Sequence, residues 1–170
     1  MTHNVNLRPV AEGDLPLLYE FQRDPVSVRM AAFPAREREA FMAHWARILV
    51  DPSLVARAIV FDDQTAGYAV VFGAADERLV GYWIGREFWG KGVATVALAS
   101  LLVEVSERPL FAHVAKHNVG SIRVLEKCGF KVSGEDKSVL GPEGELVEDW
   151  IMKLDAGADR NESSLPTSLS

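Results

Sequence analysis

The chain has 170 residues, 48% of them hydrophobic and 25% charged, enough for one domain with a real core. A net charge of −6 with a pI near 5.2 argues against a nucleic-acid binder, whose footprint is a basic face. No apolar run is long enough to span a bilayer, so no membrane partner is expected. Cys128 is the only cysteine, which excludes an intramolecular disulfide and a two-cysteine metal site; a reducing, cytoplasmic setting without a metal is the expectation.

The opening MTHNVNLRPV lacks a charged region followed by an apolar block and is not read as a signal peptide. Val5 to Pro9 reads as a first strand. Asp14 can cap a helix running to about Arg23, with Pro16 tolerated in its first turn and Leu15, Leu18 and Phe21 on its apolar face. Asp24-Pro25 ends it. Val26 to Pro34 fits no element, and a second helix follows from about Arg36 to Leu49, with Phe41, Trp45 and Leu49 as its packing stripe. Val55 to Phe61 and Ala66 to Phe72 read as strands joined by the polar turn Asp62 to Thr65.

Leu79 to Ile84 is a β-branched and aromatic strand. Gly90 and Gly92 then flank Lys91, and a helical stripe of Leu98, Leu101, Leu102 and Val105 follows at once. Two glycines thus stand where a helix begins. The first amides of a helix have no intrahelical partner, and its dipole places partial positive charge there. With the charge of Lys91 added, Trp89 to Thr95 make an anion seat suited to a phosphate or pyrophosphate. A turn that needs glycine only for its own geometry is the alternative. The P-loop pattern is absent, and so is the dinucleotide pattern, because position 95 is Thr.

Pro109 opens a strand from Leu110 to Val114, Asn118 can cap the next helix, and Gly129 ends it as a C′ glycine. Phe130 to Val132 and Val147 to Lys153 read as a last antiparallel pair, joined by a connector from Gly134 to Gly144 that carries the turn signal Gly141-Pro142-Glu143-Gly144. From Asp155 the chain turns small, polar and aperiodic, so residues 1–154 are read as one domain and 155–170 as a disordered tail.

WGKGVA, from Trp89 to Ala94, followed by Asn118-x-x-Ser121-x-x-Val-Leu-Glu-Lys-Cys-Gly129-Phe130, resembles the Gcn5-related N-acetyltransferase (GNAT) superfamily across about Asn6 to Leu154. Trp89 stands where Gln or Arg is usual; with Gly-Tyr-Trp in the preceding strand, this is similar to the branch of ribosomal-protein N-terminal acetyltransferases. The resemblance implies an α/β (α+β) fold with a mixed, mostly antiparallel sheet in the order β-α-α-β-β-β-α-β-α-β-β. It also implies an acetyl-CoA site formed by Tyr82, Trp83, Ile84, Trp89, Gly90, Lys91, Gly92, Val93, Ala94, Thr95, Asn118 and Ser121. The acyltransferase it describes moves the acetyl group of acetyl-CoA to a primary amine, either a small molecule or a peptide N-terminus. A homodimer through the final strands is a further expectation.

On that reading the pantetheine lies beside the Leu79–Ile84 strand, and the thioester sits near the start of the Leu110 to Val114 strand. A backbone N–H near Tyr82 to Ile84 serves the oxyanion. Leu125 occupies the place of the tyrosine that protonates the leaving thiolate in many members. Ser121 is the substitute implied by the similar branch; its other reading is a helix-start residue bonding backbone amides. Asn118 can bond the pantetheine amides, cap its helix, or both. No general base stands out: Glu20, Asp24 and Glu87 are candidates, and a lone His113 on a strand reads as structural. Phe33 and Met30 are candidate acceptor-pocket residues, with core packing preferred, and Cys128 reads as packing rather than a nucleophile. The missing tyrosine keeps open a different class, an acyl-CoA-binding sensor without turnover.

Overall fold

Strand pairs with short turns organise the first half of the fold. β1 (Val5–Pro9) runs antiparallel to β2 (Val55–Phe61), and β2 to β3 (Gln64–Phe72). The β2–β3 turn is tighter than the four residues expected: Asp62 and Asp63 both take left-handed φ values, +46° and +68°. Two residues at positive φ match the twist of a two-residue hairpin, and Asp tolerates that region. β3 continues antiparallel into β4 (Arg78–Ile84).

The structure, a computed structural model, describes residues 3–157. β5 (Leu110–Ala115), β6 (Lys131–Leu140) and β7 (Leu146–Leu154) complete one seven-stranded sheet in the order β1-β2-β3-β4-β5-β7-β6. Every neighbouring pair is antiparallel except β4 and β5. The mixed, mostly antiparallel sheet is as expected.

Five helices pack on it: α1 (Leu15–Arg23), α2 (Pro25–Ala31), α3 (Arg38–Val50), α4 (Val93–Glu104) and α5 (Val119–Lys127). Successive residues of β4 point to opposite faces and show which helices lie where. Trp83 donates from Nε1 to the Phe21 carbonyl of α1 at 3.0 Å, while Tyr82 meets Ser121 of α5. α1 and α3 therefore cover one face and α5 the other, where α4 also lies against β1, β3 and β4. The core runs through Leu18, Phe41, Trp45, Ile59, Leu98, Leu101, Leu110, Leu125 and Met152, all buried.

Several expectations are corrected. The unplaced stretch after Asp24 is a helix: Asp24 accepts from the Ser27 amide at 3.1 Å and Pro25 occupies the first helical position, so α2 adds an element to the expected order. Asp14 does not cap α1. Its carboxylate is held by Arg8 in a two-pronged pair at 2.7 and 2.8 Å and accepts from the Ala11 amide. Leu49 lies exposed, and Ile48 packs in its place. The connector from Gly134 is mostly strand: β6 continues through Leu140 with a register shift at Val132/Gly134, and only the residues between Leu140 and Leu146 turn. Its alternation of charges and small residues hid an outer strand. Most of the expected tail lies outside the described residues. Among the described residues no helix is long and apolar enough to cross a membrane.

At Gly67 the β4 backbone leaves no room for a side chain. A Cβ there would stand 2.0 Å from the Trp83 carbonyl oxygen, so the backbone itself would have to move. Gly13, by contrast, has nothing within 4 Å of its Cβ position. Gly67→Ala is expected to cost more than about 2 kcal/mol in denaturant unfolding, whereas Gly13→Ala stays within about 0.5 kcal/mol.

Candidate functional site

The parallel pair β4 and β5 is joined only at its root, where Arg78 faces Leu110 and Leu79 faces Phe111. Beyond Leu79 the strands part, and the backbone groups of β4 that point toward β5 have no strand partner there. Such groups need another partner or water. The opening thus lies toward the carboxyl ends of the two strands. The start of β5, where a thioester is expected, lies where the strands are still paired.

Two cavities flank the opening. The first, about 550 Å³, lies between the start of α4 and α5. The second, about 720 Å³, extends under α1, α3 and the segment between α2 and α3. Both are of the size of small-molecule sites. They share Ala31, Tyr82, Trp83, Asn118 and Ser121, which makes the gap between β4 and β5 their common boundary.

The first cavity contains the expected seat. Gly90 and Gly92 take left-handed φ values of +75° and +74°, and nothing lies within 4 Å of a Cβ built at either. Here the glycines serve both the backbone conformation and an open approach. Gly92 is the N-cap of α4 and supplies no side-chain hydrogen bond, so the first-turn amides from Val93, Ala94 and Thr95 keep no side-chain cap. Those three residues line the cavity, as do Trp83, Ile84 and Trp89. Trp89 donates from Nε1 to the Ile84 carbonyl at 2.9 Å, tying the loop back to the end of β4.

Lys91 does not line the cavity. Its ammonium lies 5.7 Å above the Phe61 ring, an attraction that turns it toward β2. The positive charge comes instead from Arg123 and Lys127, four residues apart on α5, which both line the seat. Their spacing in the sequence was the available signal.

At the boundary, Asn118 caps α5: its Oδ1 accepts from the Ser121 amide at 3.3 Å. The Ser121 hydroxyl is therefore free of the helix start. It lies 2.6 Å from the Tyr82 hydroxyl, which also approaches the Ser121 carbonyl at 3.3 Å. Burial pushes the Tyr82 phenol up to about 12, so it is protonated at neutral pH. Sequence reading placed Tyr82 beside the cofactor but did not pair its hydroxyl with Ser121, because the two are 39 residues apart.

The second cavity carries aromatic walls. Phe33 and Met30, expected as core, are 39% and 37% exposed and line the second and first cavities respectively. Phe33 meets Trp83 edge-on at 6.4 Å, and Trp45 meets Tyr68 at 5.0 Å. His113 and Asp149 also line this cavity. Asp149 of β7 faces Ala115, and burial holds its carboxyl above the usual range, with Asp136 adding to the rise and His113 and His117 opposing it. It is a carboxylate between Val147 and Ile151 on one strand face, a signal that the sequence reading did not use. The base candidates Glu20, Asp24 and Glu87 line neither cavity; Asp24 caps α2 and pairs with Arg86 at 3.3 Å. Cys128 is half-buried, its Sγ 3.7 Å from the Thr95 carbonyl, and burial pushes its thiol up, away from thiolate character.

Comparison with known proteins identifies the family and the fold. Residues 4–131 match the acetyltransferase (GNAT) domain family. Among curated proteins, "Probable N-acetyltransferase YjcK" of Bacillus subtilis is 34% identical over 82 residues, which is 43% of this chain and 45% of that protein. The matched segment thus spans about half the length of that relative. Among solved structures, spermidine N-acetyltransferase from Vibrio cholerae in complex with CoA and spermine superposes with a TM-score of 0.80 at 16% identity, covering 91% of this chain and 96% of that one. A ribosomal L7/L12 α-N-protein acetyltransferase in complex with coenzyme A gives 0.78 at 16% identity, covering 91% and 95%. At such identities these two show a shared fold.

Proposed function

Since the chain belongs to the GNAT acetyltransferase family, we propose that it moves the acetyl group of acetyl-CoA to a primary amine by direct attack in a ternary complex. The observation that carries this reading is the pair of cavities meeting at Tyr82, Asn118 and Ser121, one with an anion seat and one with an apolar wall. Acyl transfer needs a donor and an acceptor approaching one point from two sides. The two solved neighbours described above were obtained with CoA, which supports a CoA ester as donor.

The uncapped amides at the start of α4, with Arg123 and Lys127, suit the pyrophosphate. The unpaired edge of β4 suits the amides of the pantetheine arm, and its N–H groups suit the oxyanion. The amine nitrogen forms a bond to the acetyl carbon and the carbon–sulfur bond breaks. Ser121 gives its proton to the departing sulfur and recovers one from Tyr82, which is reloaded from water. The proton shed by the nitrogen goes to Asp149 on the wall of the second cavity. The protonated, half-buried Cys128 suits packing, which supports direct transfer without an acyl-enzyme.

Calorimetric titration with acetyl-CoA tests the donor site. Binding on the order of micromolar is expected, and Gly92→Glu, which strains a left-handed residue and places a carboxylate in the seat, is expected to abolish it while far-UV circular dichroism is unchanged. No binding by the wild type would overturn the donor assignment. Binding without turnover of any amine would instead identify a sensor.

Two kinetic results follow from the proposed roles. Ser121→Ala lowers kcat by more than about tenfold at saturating acetyl-CoA; an unchanged kcat would remove it from the proton path. Asp149 acts as its carboxylate, so kcat/KM falls as pH drops through a pKa above the ordinary carboxylate range. Asp149→Asn lowers the plateau and removes that acidic limb; a limb retained in the variant would assign it to another group.

A further inference from the structure

The second cavity holds a charge that no carboxylate answers. Arg36 lines it, half-buried, and forms no ion pair among the described residues. Its guanidinium sits 5.5 Å above the Phe33 ring, and Phe33 in turn meets Trp83, one of the residues at the boundary between the cavities. An aromatic path therefore leads from the reaction point outward to an unpaired cation. His44 lies on the same wall, held below its ordinary value by burial first and by the charges of Arg36 and Arg47 next. That region is electropositive, and a partly desolvated arginine without an anion is an incomplete arrangement.

The opposite charge is scarce. Asp149 is the one carboxylate on the wall of this cavity among the described residues. A polyamine carries several ammonium groups and would place at least one beside Arg36 rather than a carboxylate. One further group is unsatisfied: Gln22 lines the cavity, is 2% exposed, and its Oε1 has no hydrogen-bond donor. Buried acceptors are rarely left so, but this one has no surface open to the cavity and says nothing of the occupant.

We infer that this cavity, taken as the acceptor pocket of the transferase proposed above, receives an apolar primary amine bearing a carboxylate at its far end, of the kind presented by a short apolar peptide, and disfavours polyamines. The amine lies toward Asp149 and Ser121, the apolar body against Phe33 and Trp83, and the carboxylate on Arg36. Discrimination rests on an unpaired cation meeting an anion, and not on the aromatic wall alone, which would accept a neutral or cationic tail equally well.

The probes are leucyl-phenylalanine, its C-terminal amide and spermidine, each titrated calorimetrically into the full chain with CoA present and each assayed for CoA release from acetyl-CoA. The dipeptide is expected to bind and turn over at least about tenfold better than its amide, the range of a charge-assisted pair, with spermidine weakest. Arg36→Gln is expected to reduce the acid-to-amide preference to within about twofold while leaving acetyl-CoA binding unchanged. Equal use of acid and amide by the wild type, or spermidine as the preferred acceptor, overturns the inference even where acetyl transfer is confirmed. Preferential binding of the dipeptide without any turnover upholds the pocket assignment and overturns the transferase reading.

Discussion

The site exists because two parallel strands are held together at one end only. At the root of the β4–β5 pair, Arg78 is 5% exposed and reaches across to Glu107, which precedes β5, and to the Gly73 carbonyl at 3.1 Å. Its Nε lies 3.3 Å from a Glu107 oxygen but outside hydrogen-bond geometry, so the contact acts mainly through charge. A buried arginine is costly unless paired. Here it fixes the first residue of one strand to the segment that enters the other. From that fixed point the strands diverge, and unpaired backbone, the boundary hydroxyls and both cavities all depend on the divergence.

The two sides of the opening are built from different material. The backbone of the first cavity is mostly local: a strand end, two glycines at positive φ and the first turn of α4 all lie within Tyr82 to Thr95. Its backbone amides are supplied by any sequence compatible with that turn, while Arg123 and Lys127 of α5 add the charge. The second cavity is assembled from α1, the loop after α2, α3, β5 and β7. Its character rests on single side chains, among them Arg36 and Asp149. A fold can keep the first and exchange the second.

That division also explains what the sequence made legible. Gly90, Gly92, Asn118 and Gly129 each answer a backbone demand that is fixed within a few residues, so the turn, the cap and the helix end were readable without long-range information. The hydrophobic stripe of α4 was readable because its period is local. Lys91 misled, since whether its side chain meets the seat or the Phe61 ring depends on a strand thirty residues away. Phe33 and Met30 misled in the opposite sense: aromatic and aliphatic residues average toward core, and only the gap left between α2 and α3 shows that they face a cavity. β6 was cut short because an outer strand with alternating charge resembles a loop until its pairing with β7 is seen.

The pairing of Ser121 with Tyr82 sets two hydroxyls at the boundary of the cavities, while position 125 holds Leu. Leu125 is buried and lines the second cavity beside Asn118 and Ser121. A hydroxyl at the boundary is supplied instead from the strand side, by Tyr82, and reaches the opening through a serine one turn into α5. The cap made by Asn118 makes this arrangement possible. By taking the Ser121 amide it satisfies the helix start, which frees the Ser121 hydroxyl to face the strand rather than fold back on its own backbone. The helix cap and the placement of the boundary hydroxyls are therefore one structural device, and a change to Asn118 or Ser121 would be felt in both.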